Sequence, residues 1–123
     1  MDIEEVFKKV LDCCFRVHTE LGPGLLESAY EACLMYELQQ EGLKVRKQVA
    51  VPLFYKDVEL DVGYRIDLLV NNEVIIELKS VDSIADIHLA QILTYMKLAE
   101  CKLGLLVNFN VKHLENGIKR VIL

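Results

Sequence analysis

The chain predicts an α/β fold in which helices pack against a mixed β-sheet, formed as one domain over residues 1–123. Apolar residues recur at helical spacing in the first third, change to a period of two from Lys44, and return to helical spacing over residues 86–100. The resulting order is helix, helix, three consecutive strands, helix, strand, strand. Three meandering strands followed by a helix and another strand imply both antiparallel and parallel neighbours. A composition that is 53% hydrophobic and 27% charged fits an ordered globule, and 123 residues leave room for one sizeable core. No internal repeat, low-complexity tract or Pro/Ser-rich linker divides the chain.

Ile3, Val6, Phe7, Val10, Leu11, Cys14 and Val17 mark an amphipathic helix over residues 3–20, which "LGPG" at 21–24 breaks. A second helix runs from about Leu25 to Glu41 and stops at Gly42, a residue suited to a helix C-terminus. Strand-forming stretches follow near 45–55, 58–70 and 74–80. Residues 86–100 form the third helix, "KLGLLVNF" at 102–109 reads as a buried strand, and "GIKRVIL" supplies the last one.

No apolar run reaches the roughly 18 to 20 residues that span a bilayer. The acidic, amphipathic start "MDIEEVFKKV" is unlike a signal peptide, so a cytoplasmic location and no membrane contact are expected. Cys13, Cys14, Cys33 and Cys101 show no paired CxxC spacing, and reduced thiols packed in helices are expected rather than zinc ligands. A formal charge of −5 argues against tight nonspecific duplex binding by the whole surface, while leaving room for a local basic strip.

The stretch "EVIIELKSV" at 73–81 places Glu77 and Lys79 on one face at the end of an otherwise buried strand. Burying the apolar sets of the second and third strands together pairs Ile66 with Leu78, Leu68 with Ile76, and Val70 with Val74. Asn71, Asn72 and Glu73 then form the loop, where asparagine tolerates left-handed backbone. The same register puts Asp67 opposite Glu77 on the other face, with Lys79 two residues further on. Opposed residues have Cβ atoms about 4.5 to 5.5 Å apart, a distance at which like charges repel. Mg²⁺ (or Mn²⁺) held by two carboxylate oxygens, a strand carbonyl and waters would relieve that repulsion, and a neighbouring lysine would act on an attacking water or on phosphate charge. The alternative is that Lys79 bridges the two acids in a solvated patch.

Asp67 followed by Glu77-Leu78-Lys79 resembles the motif of the PD-(D/E)xK nuclease superfamily. Within it, Gly24-Leu25-Leu26-Glu27-Ser28-Ala29-Tyr30 resembles the motif of the GxxExxY protein family. The likeness continues through "YRIDLLV", "IIELKSV", "HLAQILTYMKL", "LLVNF" and "GIKR" and covers nearly the whole chain. It implies a restriction-endonuclease-like core of helix, three strands, helix and strand, with an extra N-terminal helix and a C-terminal strand. It also implies that Asp67, Glu77 and the Leu78 carbonyl bind metal, that Glu27 adds another ligand, and that Lys79 acts on the nucleophilic water. Gln91 and Tyr95 resemble the QxxxY element of the RecB-type branch, which supports the site from the following helix. The proline that usually precedes the first acid is Ile66 here.

Glu37 projects onto the same helical stripe as Glu27, so position alone does not single Glu27 out. His88, Gln91 and Tyr95 line one edge of the third helix, where His88 is expected as a polar tip at the boundary. His18, just before the Gly-Pro-Gly break, is expected as polar surface, although some RecB-type enzymes bind metal through a histidine there. Lys44, Arg46, Lys47 and Arg65 are candidates for phosphate contacts or, alternatively, for a solvated edge that discourages aggregation.

The expected function is a metal-dependent nuclease acting on nucleic acid, DNA in the first place. The alternatives are a noncatalytic binding or scaffolding domain that keeps the fold, and hydrolysis of a small nucleotide. A short chain with no appended DNA-reading module suggests weak sequence preference or a protein partner that delivers the substrate. Its size and apolar content are also compatible with a homodimer.

Overall fold

The computed structural model describes residues 1–123. The elements are α1 (Ile3–Leu21), α2 (Glu27–Gln40), β1 (Val45–Ala50), β2 (Leu53–Tyr55), β3 (Val58–Leu60), β4 (Arg65–Val70), β5 (Val74–Lys79), α3 (Asp86–Ala99), β6 (Leu103–Asn108) and β7 (Ile118–Ile122), with a short 3-10 turn at Leu114–Gly117. No helix is long and apolar enough to cross a membrane.

A five-stranded sheet runs in the order β1-β4-β5-β6-β7. β5 and β6 are parallel, joined across the sheet by α3, and every other pair is antiparallel. One face packs against α1 and α2, whose Val6, Val10, Cys14, Tyr30 and Leu34 meet Leu68, Ile76 and Leu105 of the sheet. The other face carries α3, where Ile92 and Met96 cover Ile75, Leu106 and Val121. Gly104 permits this close approach, since a Cβ there would lie 2.9 Å from Met96 Sδ. The order and the layers are those of a restriction-endonuclease-like core extended by α1 and β7.

Helix limits follow local chemistry. The Asp2 carboxylate accepts the Glu5 amide and starts α1, and Gly42 takes the left-handed φ of 79° as the chain leaves α2. The β4–β5 hairpin has the expected register, Leu68 opposite Ile76 and Val70 opposite Val74, and Asn71 and Asn72 both adopt positive φ in its loop.

Two expectations change. The stretches 45–55 and 58–70 are each broken, and their inner ends form a separate β2–β3 ribbon. Pro52 lacks the amide that would continue the ladder, and Gly63 turns the chain with a φ of 82° while its amide bonds Asp61 Oδ1. Ile66 also departs from the expected face: it packs with the α3 cluster, while Leu68 and Val70 pack with α1 and α2. Strict alternation is lost between Ile66 and Leu69, and Asp67 occupies that irregular step. The cysteines are free, as expected: Cys13 and Cys14 are buried in α1, Cys33 is exposed on α2, and Cys101 lies just beyond α3 rather than within it.

Candidate metal centre and active site

The backbone ladder between β4 and β5 ends at Leu68 and Ile76. Beyond it, two carboxylates take over the bonding. The Asp67 amide donates to Glu77 Oε2 at 2.8 Å, and the Leu78 amide donates to Asp67 Oδ2 at 2.9 Å. Each acid therefore binds the neighbouring strand's backbone, and these two bonds hold the pair side by side beyond the ladder.

A matching irregularity lies on the opposite side of β4. The pairs Lys47–Leu68 and Val49–Ile66 leave Gln48 facing Asp67, but Gln48 adopts a φ of 50° and no ladder pair forms there. Its amide side chain donates to Glu31 Oε2 at 2.8 Å and, at 3.4 Å, to Asp67 Oδ1. Asp67 is thus gripped from both flanking strands.

Glu77 is only 4% exposed. Burial, followed by the Asp67 charge, pushes its carboxyl up to about 8, against the opposing pull of the Asp67 amide and Lys79. Burial also raises Asp67, partly offset by the Leu78 amide, Gln48 and Lys79. Glu31 is raised by burial as well, with the Gln48 bond opposing. The site therefore gathers acids whose charged forms are disfavoured until a cation arrives.

The donor chemistry fits Mg²⁺ or Mn²⁺. Three or more His, Cys, Asp or Glu side chains do not converge into a ready-made cage, but Mg²⁺ keeps several waters and needs only one or two carboxylates. Asp67 and Glu77 offer hard oxygens in a buried setting that disfavours their charged forms in the absence of a cation. Glu27 stands nearby at the start of α2, where its Oε1 accepts the Ser80 amide at 3.2 Å and its charge acts on both acids. Glu37 instead faces Arg16 of α1 at 3.9 Å, so the tertiary structure separates two acids that helical projection left equivalent.

The loop before α2 is clamped to the end of β5. Tyr30 donates to the Gly22 carbonyl at 2.6 Å and accepts the Leu25 amide, while Ser80 Oγ donates to the Leu25 carbonyl at 2.6 Å. Tyr30 itself stacks on Phe109, with ring centroids 4.6 Å apart. These bonds set where Glu27 meets the strand that carries Glu77 and Lys79.

On the α3 side, Lys79 Nζ lies 3.5 Å from Gln91 Oε1, and Gln91 Nε2 donates to the Tyr95 hydroxyl at 3.2 Å. Burial raises the Tyr95 phenol, and the charges of Glu77, Tyr64 and Asp67 push it the same way. His88 Nδ1 accepts the Ala85 amide at the start of α3, which leaves Nε2 as the protonated nitrogen. His18 is buried rather than on the surface, with Nε2 2.8 Å from the Val111 carbonyl oxygen.

The basic residues divide. Arg46 donates to Asn72 Oδ1 and the Lys44 amide to Asn71 Oδ1, both at the hairpin-loop end of the sheet. Lys47 faces Leu68, one rung from Asp67. Arg65 pairs with Asp61 at 3.6 Å. The structure thus gathers Asp67, Glu77, Lys79, Gln91, Tyr95 and Glu27, and holds Lys44 and Arg46 at the hairpin-loop end, while the His18 ring nitrogen is engaged by the Val111 carbonyl. Four neighbours of this group were not singled out from sequence: Gln48, Glu31, Ser80 and Tyr64. Glu31 had a usable signal, because it lies four residues after Glu27 and shares its helix face.

A family model described as the PD-(D/E)XK nuclease superfamily matches residues 4–121. Neither a search of curated proteins nor a search of solved structures returns a match. A match of that length runs from the first turn of α1 into β7, so it takes in all or most of every sheet strand and every side chain of the cluster. The chain belongs to the PD-(D/E)XK nuclease superfamily.

Proposed function

We propose that this protein is a metal-dependent nuclease of the GxxExxY group, hydrolysing phosphodiester bonds of nucleic acid. The observation that carries the reading is the paired, mutually anchored carboxylates of Asp67 and Glu77 with Lys79 beside them. Asp67 and Glu77, with the Leu78 carbonyl and Glu27, would hold Mg²⁺ or Mn²⁺. The bound ion would neutralise the charge that builds on phosphate and help ionise water. Lys79 positions that water for in-line attack, and its ammonium opposes the excess negative charge of the acids. Gln91 restrains Lys79, and Tyr95 restrains Gln91, so the lysine is aimed from α3 rather than left to rotate freely. Glu77, pushed up to about 8, must shed its proton before it ligates, which couples binding to pH.

The test is calorimetric titration of Mg²⁺ and Mn²⁺ into wild type and the Asp67→Ala/Glu77→Ala variant, followed by cleavage assays on DNA and RNA with Lys79→Ala as control. Binding lost in the double variant, and cleavage reduced by about 10² or more in Lys79→Ala, are expected. Equal cleavage by all three proteins would sink the mechanism.

A second reading, a noncatalytic binding domain, draws support from the internal satisfaction of both acids by backbone amides. It predicts nucleic-acid affinity that falls with salt, and no metal-dependent cleavage.

A further inference from the structure

Beside Lys79 opens a cavity of about 510 Å³ that the proposed chemistry leaves unused. Its wall includes Tyr64, Ile87, Thr94 and Tyr95 together with Lys79 and Gln91, so the lysine assigned to the attacking water also borders this space. The volume falls within the range of about 300 to 1,000 Å³ typical of pockets that enclose small organic groups. The lining is aromatic and apolar with a few polar tips. Lys79 is the one Lys or Arg in it, which suits a flat heterocycle better than a second phosphate.

Two features point to stacking. The rings of Tyr64 and Tyr95 lie 5.8 Å apart at 52°, forming an angled aromatic corner. Tyr64 is 39% exposed and Ile87 70% exposed, so large apolar surface remains free on the cavity wall. Gln91 offers amide groups, and His88, also in the wall, carries its proton on Nε2, for the edge of a base.

The surroundings extend the pattern. The last rung before the β2–β3 ribbon is the bond from the Val51 amide to the Tyr64 carbonyl, so the ribbon springs from a residue of the cavity wall. The ribbon carries exposed Phe54 and Tyr55, with Lys56 Nζ 5.6 Å from the centroid of the Tyr55 ring. Aromatic faces accompanied by scattered cations are the means by which proteins hold unpaired strands without reading sequence.

We propose that this cavity receives an unpaired nucleobase of the strand whose phosphate lies at Lys79, and that the substrate class is therefore single-stranded nucleic acid. Base faces in a duplex are covered by their stacked neighbours, so only an unpaired strand offers a base to the cavity without the cost of extrusion. The inference rests on the nuclease reading and makes it more specific.

The test uses the full chain without divalent metal, so that no strand is cut. A single-stranded DNA oligonucleotide containing 2-aminopurine, its duplex and a free mononucleotide are titrated separately into wild type, Tyr64→Ala, Tyr64→Phe and Ile87→Glu, with melting temperatures confirming that each variant folds. Expected are quenching of 2-aminopurine, preference for the single strand over the duplex, an approximately ten-fold loss of affinity in Tyr64→Ala, retention in Tyr64→Phe, and weakening in Ile87→Glu. Duplex binding as tight as single-strand binding, or affinity unchanged in both Tyr64→Ala and Ile87→Glu, would overturn the proposal. Tyr64-dependent binding of the mononucleotide but not of the oligonucleotide would also overturn it, in favour of a free nucleotide. Metal-dependent cleavage by wild type alongside either result would show that the cavity assignment alone had failed. Absence of both binding and cleavage for every nucleic acid would remove the nuclease reading with it.

Discussion

The two ends of the β4–β5 hairpin use the same strands in opposite ways. At the loop end, Leu68 faces Ile76 and Val70 faces Val74 in a regular ladder, with all four side chains buried against α1 and α2. At the open end, the ladder yields to Asp67 and Glu77, whose carboxylates accept backbone amides while crowding each other in a dry setting. The difference shows stability and chemistry separated along a few residues of one hairpin. Regular burial at one end anchors an arrangement at the other in which the charged form of Glu77 is disfavoured by burial and by Asp67.

The largest effect on stability is expected at the closed end. Ile76→Ala removes a fully buried side chain and should lower the unfolding free energy by ~2–5 kcal/mol in denaturant titration. A loss under about 1 kcal/mol would mean that this end is not what anchors the pair.

At the open end, the opposite sign is expected. Glu77 titrates near 8 in the folded chain against its ordinary 4.5, so between those values the folded form holds the extra proton. Stability of metal-free wild type should therefore fall as pH rises from about 4.5 to about 8 and remain lower above that. Glu77→Gln removes this fall. At pH 9 it should exceed wild type by on the order of 1 kcal/mol or more, with the gap closing towards pH 5. Parallel stability curves for the two proteins would show that the open end stores no electrostatic cost, and Mg²⁺ should stabilise wild type alone.

A smaller effect concerns Gln48, where β1 bends around Asp67. Gln48→Ala loses two side-chain bonds and keeps the left-handed backbone, for a cost of about 1 kcal/mol. Gln48→Gly loses the same bonds but relieves the backbone by roughly 1 kcal/mol, so it should be the more stable of the two. Equal stabilities would place the distortion outside Gln48.

Much of this division was legible in the chain. The alternation of Val74, Ile76 and Leu78, together with the asparagine pair, was enough to set the hairpin register and so to oppose Asp67 and Glu77. The same rule misplaced Ile66, because alternation holds only where backbone amides bond backbone carbonyls, and at Asp67 they bond carboxylates. The β2–β3 ribbon was hidden because its residues continue the strand-forming composition on both sides of Pro52 and Gly63. Gln48 and Glu31 read as ordinary polar surface, since nothing in local sequence reveals that a strand and a helix bring them together. Tyr64 escaped for a related reason: its partner Tyr95 lies on α3, across two intervening strands of chain.

The parallel pairing of β5 with β6 also sets an order of assembly. Glu77 lies beside Leu106 of β6, which the ribosome makes only after α3 is complete. Until then the acid-bearing hairpin lacks one flank, and α1 lacks its contacts with Val111 and Arg120 near the far end of the chain. The dry flank that disfavours the charged form of Glu77 is thus assembled late, when the last third of the chain closes the sheet.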